Sequence, residues 1–366
     1  MPDELLHQVA LTLIPNIGPV QAKILIDHFE NASAIFKARL STLEEIAGIG
    51  MAGARSIKAF RDFSRAEEEI SFIEKYKINP LFITDTNYPQ RLLNCYDPPT
   101  LLYFKGDTNL NTSKVLAIVG TRSCTDYGKL VIEKLVDDLS TQNILIVSGL
   151  AFGIDSIAHK AAIKNNLPTV GVVGHGLDTI YPIENMHLAK DMTKNGGILT
   201  QFTSKTKPEK YNFPIRNRIV AGMADATVII ETTIKGGSMI TAEMANGYNR
   251  DVFAVPGKIN DSKSIGCNYL IKNNKAILLT DAQQLLETLG WEEKIKPKLK
   301  KQKELFIQLT AEEEIIINIL KEKETVSIDE INFKSGLSSS SVAAAILNLE
   351  LQNVIRSLPG KLYSIY

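Results

Sequence analysis

The chain has 366 residues, of which 41 are basic and 41 acidic, so its formal net charge at pH 7 is zero. This balance excludes a histone-like polycation, and any contact with nucleic acid has to come from a local basic patch. Hydrophobic residues make up 44% and charged residues 22%, as in ordinary soluble globular proteins, and the length allows two or three domains of ~100–200 residues.

Three scattered cysteines, none in a CxxC pair, argue against a structural zinc site and favour reduced, intracellular thiols. No window approaches the ~18 apolar residues of a membrane span, and no charged-then-apolar leader opens the sequence. We therefore expect a cytoplasmic protein that has no membrane partner and holds no metal.

Residues 1–75 are predicted to be helical, and they contain a degenerate repeat at 14–25 and 46–57. Both copies follow the pattern apolar-x-x-Ile-Gly-x-x-x-Ala-x-x-apolar, which resembles paired helix-hairpin-helix motifs in a sterile-alpha-motif-like domain. Gly18 and Gly50 would make tight turns, where backbone amides can meet a phosphate at the start of the next helix. Such pairs also serve purely as packing modules, which the lack of a Lys-rich rim favours.

The next domain, 76–290, begins with a stretch rich in Pro and Asn, to about residue 110, which predicts extended or edge strands. From residue 115 onward, short β-rich runs alternate with helical segments, which predicts a parallel sheet covered on both faces. The predicted strands are Val115–Gly120, Ile144–Gly149, Thr169–Gly174, Ala226–Glu231, Asp251–Pro256 and Ala276–Thr280. The predicted helices are Tyr127–Gln142, Gly153–Asn166, Glu184–Asn195, Ser238–Asn249 and Asp281–Leu289. The fold class is therefore α/β, an extended Rossmann-like sheet, whose ligands bind beyond the carboxyl ends of the strands.

Residues 291–304 are charged and lack apolar periodicity, which predicts a flexible linker. The tail, 305–366, predicts three helices followed by a β-hairpin with a Pro-Gly turn, the layout of a winged-helix domain. Its third helix, within Ser338–Gln352, has no Arg or Lys to reach base edges or phosphates. A protein-contact or degenerate winged helix is therefore favoured over a reader of duplex DNA.

One stretch of the α/β region collects an aromatic ring, an amide and three basic side chains within nine residues. The five are Lys210, Phe213, Arg216, Asn217 and Arg218. Pro214 suits the first turn of a helix, in which Ile215 and Ile219 face a core and both arginines point away from it. This set predicts a binding site for phosphates and one stacked base. The alternatives are ordinary salt bridges on a surface helix, or arginines that mainly brace the neighbouring loops.

Four further Gly-rich segments follow predicted strands and would meet the first stretch at one edge of the sheet. The candidate residues on them are Gly120, Arg122, Ser148, Gly149, Gly174, Gly176, Gly237 and Ser238. Their glycines let backbone amides approach an anion, and Arg122 adds a guanidinium fork. Five such loops at one edge are hard to explain as connections only, so together they predict a pocket for phosphates and a base.

Catalysis has weaker support in the same loops. Ser148 with His159 invites a hydrolase interpretation, but the surrounding sequence is not the GxSxG elbow and no third member is evident. His175 is either a general base or a local hydrogen-bond partner. Glu243 follows a Gly-Gly-Ser segment that vaguely resembles the loop of nucleotide phosphoribohydrolases, in which it would help to cleave a glycosidic bond. That segment lacks the Pro that precedes the phosphoribohydrolase loop, and the spacing of its residues differs from that of the loop.

Together, these motifs resemble the DNA-processing protein A (DprA/Smf) family in order and spacing, strongly over about 80–290. The segments are Gly120-Thr-Arg122, Ser148-Gly-Leu-Ala-x-Gly-Ile-Asp155, Gly174-x-Gly-x-Asp-x-x-Tyr-Pro-x-x-Asn185, Phe213-Pro-x-Arg-Asn-Arg218, Gly237-Ser-x-x-Thr-Ala242 and Val255-Pro-Gly257. The resemblance implies an extended Rossmann domain that binds single-stranded DNA, loads the RecA recombinase onto incoming DNA in natural transformation, and self-associates. It also implies that Arg122, Lys210, Phe213, Gly174 and Gly176 contact the strand.

The sequence thus favours a non-enzymatic mediator that binds and protects incoming single-stranded DNA and hands it to RecA. A phosphoribohydrolase-like enzyme that uses Glu243 is the alternative, and a nucleotide-sensing module with no DNA role is a third. We expect no cofactor. We also expect a homodimer, for which apolar residues of the helix Ser238–Asn249 either reach an interface or belong to the core. These are Met239, Ile240 and Met244.

Overall fold

The computed structural model describes residues 2–292 and 309–365, except residues 324, 353 and 359. The predicted linker, 291–304, lies outside the described residues from residue 293 onward. Within the described ranges, no helix is both long enough and apolar enough to cross a membrane.

The first of two compact units, residues 1–292, opens with a run of helices. They are α1 (Pro2–Leu11), α2 (Pro19–Phe29), α3 (Ala32–Lys37), α4 (Leu40–Glu45), α5 (Gly50–Ala59) and α6 (Ser64–Tyr76). Gly18 directly precedes α2, and its amide donates to Gln21 Oε1 at 3.2 Å. Gly50 opens α5 with a φ of +63°, a left-handed conformation that glycine adopts without steric cost. Each copy of the predicted repeat thus forms a turn followed by a helix.

Nine strands of the described residues form one sheet in the order β1-β2-β6-β5-β4-β3-β7-β8-β9. They are β1 (Asn79–Phe82), β2 (Leu101–Gly106), β3 (Val115–Gly120), β4 (Leu145–Ser148), β5 (Thr169–Val172), β6 (Gly196–Thr200), β7 (Ala226–Ile230), β8 (Asp251–Ala254) and β9 (Ile277–Leu278). Strands β3 to β9 run parallel, whereas β2 is antiparallel to β6 and β1 to β2. The predicted parallel sheet is confirmed, and the Pro-rich stretch supplies the two antiparallel strands.

Strand β6 was not among the predicted strands, because its two leading glycines have low β-propensity. The structure explains why glycine stands there. A Cβ on Gly196 would lie 2.0 Å from the Thr169 carbonyl oxygen, and one on Gly197 would lie 2.5 Å from the Phe104 ring. Both glycines therefore allow close approach of the neighbouring strands.

Helices cover both faces of the sheet. They are α7 (Gln90–Leu93), α8 (Asp126–Asp138), α9 (Ile154–Lys164), α10 (Met186–Met192), α11 (Asn212–Gly222), α12 (Gly237–Gly247), α13 (Ile265–Lys272) and α14 (Ala282–Thr288). Along β3, Val115, Ala117 and Val119 belong to one core, and Leu116 and Ile118 belong to the other. This period of two confirms the predicted two-sided burial. The first core also includes residues of α1 to α6, so the helical segment packs directly on one face of the sheet.

The strand order reverses between β3 and β7. Strands β4, β5 and β6 extend the sheet to one side of β3, and β7, β8 and β9 extend it to the other. In open α/β sheets this reversal leaves a crevice beyond the carboxyl ends of the strands, where the loops diverge to opposite faces. The fold therefore places the loops after β3 and β7 at the edge of a natural binding site.

The second compact unit is described by itself over residues 309–365, with the three gaps given above. It contains α15 (Ala311–Leu320), α16 (Ile328–Ser335), α17 (Ser339–Leu351) and a sheet ordered β10-β12-β11, formed by β10 (Val326–Ser327), β11 (Ile355–Leu358) and β12 (Leu362–Ile365). Ser338 caps α17 by accepting from the Ser341 amide at 3.1 Å. The predicted winged helix is confirmed, and its third helix carries no Arg or Lys.

Candidate nucleic-acid interface

An open cleft of about 690 Å³ lies where the strand order reverses. The loops after β3, β4 and β7 line it together with the start of α11. The predicted site residues in its lining are Gly120, Arg122, Gly149, Lys210, Phe213, Arg216, Asn217, Gly237 and Ser238. The fold therefore gathers these residues from distant parts of the chain, as expected for the carboxyl edge of such a sheet.

Phe213, Arg122 and Lys210 line the cleft together. The Arg122 Cζ lies 5.1 Å from the centre of the Phe213 ring, within range of a cation–π contact. Arg122 and Lys210 are exposed and Phe213 is half-buried, so a ligand in the cleft has access to both cations and to the ring. Phosphates can settle on the cations while a base stacks on the ring.

Arg216 is buried, and the prediction that it points away from the core is wrong. Only 4% of its surface is exposed, and its guanidinium donates to the carbonyl oxygens of Gly149 and Val172. Asp155 lies beside it, since the Asp155 Oδ2 and the Arg216 Nη1 are each 2.5 Å from the position of a Cβ on Gly149. Arg216 therefore ties α11 to the ends of β4 and β5, and its charge is used inside the protein.

The buried pair has opposing effects on the two ionisations. Burial lowers the pKa of Arg216 to about 10, and the neighbouring Asp155 carboxylate raises it. Burial likewise raises the pKa of Asp155, and the Arg216 guanidinium opposes that rise. Arg216 thus stays protonated at neutral pH, and its charge stabilises the carboxylate form of Asp155.

Arg218 is also buried, at 7% exposure, so the same prediction is wrong for it. Its Nη1 donates to the Asp97 carbonyl and lies 3.2 Å from Asp97 Oδ2, and its Nη2 donates to Gln201 Oε1 at 2.6 Å. It lines a different groove from the cleft described above. Asn217 lines the cleft, and its Oδ1 accepts from Arg216 Nε at 3.0 Å. For the arginines, the bracing alternative agrees with this geometry.

The physical reason for the error lies in the surroundings of α11. A periodicity argument assumes a helix with one wet face. Instead, α11 buries Asn212, Arg216, Arg218 and 219–222, whereas Ile215 is 38% exposed. The two arginines can lie inside because each guanidinium has carbonyl or carboxylate acceptors within reach.

The structure does not form the hydrolase pair considered for Ser148 and His159. Ser148 is fully buried and its Oγ donates to the Ile118 carbonyl at 2.6 Å. His159 is fully buried as well, and its Nδ1 lies 2.7 Å from Thr169 Oγ1. Burial lowers the pKa of His159 to about 3, so its ring is neutral at physiological pH. Ser148 is therefore a structural residue, and its predicted contact with DNA is wrong because no ligand can reach it.

His175 has the local hydrogen-bond role rather than a place in the large cleft. Its Nδ1 lies 2.9 Å from the Gly176 carbonyl, and its Nε2 accepts from the Tyr181 amide at 3.2 Å. Gly174 and Gly176 are buried in the same loop, and the Gly176 amide donates to the Thr206 carbonyl at 3.0 Å. Gly174 lines a small cavity beside Phe213, and contact of that loop with DNA stays a prediction.

The loop after β7 places Gly237 and Ser238 in the cleft but leaves Glu243 out. Ser238 Oγ donates to Thr232 Oγ1 at 2.7 Å and is 7% exposed, whereas Gly237 is exposed at the first turn of α12. The Glu243 side chain is 61% exposed, 4.0 Å from Lys275 Nζ, and does not line the cleft. The phosphoribohydrolase alternative therefore lacks its proposed acidic group at the site.

The residues considered for a dimer interface mostly belong to the core. Met239 is buried and Met244 packs against the same core, while Ile240 is 38% exposed and lines the cleft. Lys235 is a cleft residue that the sequence analysis missed. It is exposed directly before the Gly-Gly-Ser turn, and this position was the available signal.

No group of three or more His, Cys, Asp or Glu side chains within the described ranges is placed to hold a metal ion. The exposed groups of the cleft include cations and backbone amides beside an aromatic ring. A cleft at the strand-order reversal of a Rossmann-like sheet is a common ligand site, and helical hairpins and winged helices are modules found in nucleic-acid-binding proteins.

Comparison with known proteins identifies the family. The family model for DNA recombination-mediator protein A matches residues 79–290, that for the DprA winged helix domain matches 303–361, and that for the helix-hairpin-helix motif matches 8–70. The chain belongs to the DprA/Smf family of DNA-processing recombination mediators. The resemblance drawn from the strand-end motifs is therefore confirmed, together with the three-part architecture.

Individual relatives cover most of the chain. It is 33% identical to the Smf protein of Synechocystis over 98% of both chains. The X-ray structure of DprA from Streptococcus pneumoniae matches 77% of this chain and 95% of its own, at 34% identity and a TM-score of 0.66. A Helicobacter pylori DprA structure, which describes a single-stranded DNA binding mode, matches 58% of this chain and 96% of its own, at 33% identity and a TM-score of 0.53.

Proposed function

We propose that this protein binds single-stranded DNA in the cleft at the strand-order reversal and acts without catalysing a reaction. The observation that carries the proposal is the convergence of exposed Arg122, exposed Lys210 and half-buried Phe213 in one open cleft. The single-stranded DNA binding mode described for the Helicobacter pylori relative supports it. A single strand suits the cleft because a base has to leave the duplex stack before it can lie on the Phe213 ring.

The proposed contacts set the character of the binding. Phosphates and the π-face of a base are common to every sequence, so affinity is expected to be sequence-tolerant. Three exposed cations of the described residues line the cleft, namely Arg122, Lys210 and Lys235. For single strands the slope of log K against log salt is about −0.7 per neutralised phosphate, so three contacts predict a slope of about −2.

The test is a titration of labelled oligothymidylate and of a matched duplex, each at two or more salt concentrations. We expect the single strand to bind more tightly, and Arg122→Ala with Lys210→Ala to weaken binding and to flatten the salt slope. Lys164→Ala is the matched control, because this exposed lysine lies in the last turn of α9, away from the cleft. Equal affinity of the double variant and the parent protein would show that the cleft is not the binding site.

We further propose that the protein protects incoming single strands in the cytoplasm and loads RecA onto them during natural transformation. Membership of a recombination-mediator family supports this role. An order-of-addition assay tests it, in which RecA filament formation is followed on strands already coated with single-strand-binding protein. We expect this protein to speed filament formation, and expect Arg122→Ala with Lys210→Ala to abolish the effect. No acceleration by the parent protein would refute the loading role.

The absence of catalysis and the homodimer are part of the same proposal. Incubation with nucleoside monophosphates is expected to release no free base, and release that depends on Glu243 would restore the phosphoribohydrolase alternative. Sedimentation at micromolar concentration is expected to show a dimer. A monomer at every concentration would remove that part of the proposal.

A further inference from the structure

A pair of exposed aromatic side chains lies beside Phe213 without a role in the contacts described so far. Tyr181 follows β5 and is 45% exposed, and Phe152 follows β4 and is 42% exposed. Together with Phe213 they line a small cavity that adjoins the large cleft. Large aromatic surfaces exposed in one cluster mark a site of interaction, because single exposed rings are normally scattered.

The ring geometry suits a flat ligand. The centres of the Tyr181 and Phe213 rings are 6.1 Å apart, and their planes differ by 36°. Bases stack at a spacing of about 3.4 Å, so a base held between two rings needs about 6.8 Å. Because the two planes are tilted by 36°, the rings do not form a parallel slot of that width, and a base stacks on the exposed outer face of either ring instead.

The loops that carry the two extra rings are fixed to each other by buried hydrogen bonds. Asn185 is 6% exposed, and its Nδ2 donates to the Leu150 carbonyl at 2.9 Å. This bond joins the loop of Tyr181 to the loop of Phe152. The Tyr181 amide is held in turn by the buried His175 ring at 3.2 Å. The rings thus stand on rigid backbone, which reduces the entropy lost when a ligand is bound.

The lining of the small cavity suits bases better than phosphates. Apart from Arg122 and the internally bonded Arg216, it consists of aromatic, aliphatic and glycine residues with Pro182 and the buried His175. Arg122 stands between this cavity and the large cleft, since it lines both. A backbone that passes Arg122 and Lys210 would therefore present successive bases first to one ring and then to the next.

We propose that Tyr181 and Phe152 form a second base-stacking subsite, which takes the nucleobase adjacent to the one on Phe213. The subsite accepts any base, because it offers ring faces rather than hydrogen-bonding groups. It rests on the proposed binding of single-stranded DNA in the cleft. It adds that two neighbouring bases, and not one, are held by aromatic rings.

The experiment compares oligothymidylate with an oligonucleotide of the same length whose central nucleotides are abasic. Tyr181→Ala is expected to weaken oligothymidylate binding by about 5- to 150-fold, the range measured for loss of one stacked base. Tyr181→Phe keeps the ring and is expected to stay within about twofold of the parent protein. Phe152→Ala is expected to weaken binding in the same direction, and Tyr96→Ala, which removes a tyrosine that is 68% exposed elsewhere, is expected to change nothing.

Two readouts separate stacking from a structural effect. A stacked base releases no counterions, so Tyr181→Ala is expected to leave the salt slope unchanged, unlike Lys210→Ala. The loss is also expected to vanish on the abasic strand, where no base is present to stack. An equal loss of affinity for both strands would mean that Tyr181 acts through the conformation of its loop, and would refute the stacking subsite. If the parent protein bound no single strand, the proposed function would fail as well. If binding depended on Arg122 and Lys210 but not on Tyr181 or Phe152, only the subsite would fail.

Discussion

A buried carboxylate in α6 fixes the loop that leads to Lys210. Glu69 is 1% exposed, and its Oε2 accepts from the Ser204 amide at 2.9 Å and from Ser204 Oγ at 2.5 Å. Arg65 Nη2 donates to the same carboxylate at 2.9 Å and to the Ser204 carbonyl at 2.6 Å. Ser204 belongs to the segment between β6 and α11, so α6 anchors the segment that leads to Pro208 and Lys210 in the cleft.

Glu69→Ala is expected to destabilise the first compact unit by about 3 kcal/mol. The substitution leaves the amide and hydroxyl of Ser204 without their acceptor, and each buried orphan costs ~1–3 kcal/mol. Ser204 is only 5% exposed, so water replaces these bonds poorly. The Arg65 side chain is 31% exposed, and solvent screening limits its share to ~1 kcal/mol or less. The unit spans residues 1–292, and at an unfolding entropy of ~2.1 cal/mol/K per residue about 3 kcal/mol corresponds to a fall in Tm of roughly 5 °C.

Trp291 provides the assay, because it is the only tryptophan of the chain and packs against the second core of the first unit. Its fluorescence follows unfolding by urea or heat. Glu68→Ala is the matched control on the same helix, since Glu68 is 54% exposed and makes ion pairs on the surface. We expect this control to leave the unfolding midpoint close to that of the parent protein, because exposed ion pairs contribute little to stability. Equal unfolding midpoints for the two variants would refute the assigned role of Glu69.

The other predictions concern the buried floor of the site. Gly149→Ala places a Cβ 2.5 Å from both Arg216 Nη1 and Asp155 Oδ2, and we expect a lower Tm together with at least tenfold weaker binding of oligothymidylate. Tight binding with an unchanged Tm would show that the Arg216 bridge is not needed. Burial depresses the pKa of His159 from 6.5 in the unfolded chain to about 3, so the unfolded state binds more protons at acid pH. Stability is therefore complete above pH 6.5 and falls as the pH drops towards 3, by about 2 kcal/mol between pH 7 and pH 5. His159→Asn is expected to reduce this pH dependence of the urea midpoint, and an unchanged dependence would contradict the assignment.

The sequence predicted the location of the site better than the orientation of its side chains. Gly-rich segments directly after apolar runs identify the carboxyl ends of parallel strands, and the fold necessarily brings those ends together. Arg122, Lys210 and Phe213 were therefore assigned to one pocket correctly. The prediction that Arg216 and Arg218 point away from the core was wrong. Their guanidinium groups bind the carbonyl oxygens of Gly149, Val172 and Asp97 inside the protein, and no local sequence pattern indicates these distant acceptors.

Contacts between distant segments account for the rest of what the sequence could not predict. Glu69 and Ser204 are 135 positions apart, and nothing near either residue indicates the other. The strand β6 was missed for a related reason. A side chain at either glycine would clash with Thr169 or Phe104, which are far away in sequence. Glycine also has a low β-propensity, so the sequence alone argues against a strand there.

The basic residues of the family motifs fall into two groups, one buried and structural and the other exposed. Arg216 and Arg218 satisfy carbonyl and carboxylate groups inside the protein, so neither can release counterions from a DNA strand. Arg122 and Lys210 remain exposed, and in the proposed binding of single-stranded DNA they attract the phosphates. Because the chain has no net charge, attraction of a strand depends on these local cations, and contacts that salt does not screen add to it. In the proposed complex, stacking of a base on Phe213 is such a contact, which gives a role to an aromatic ring among the exposed cations of the cleft.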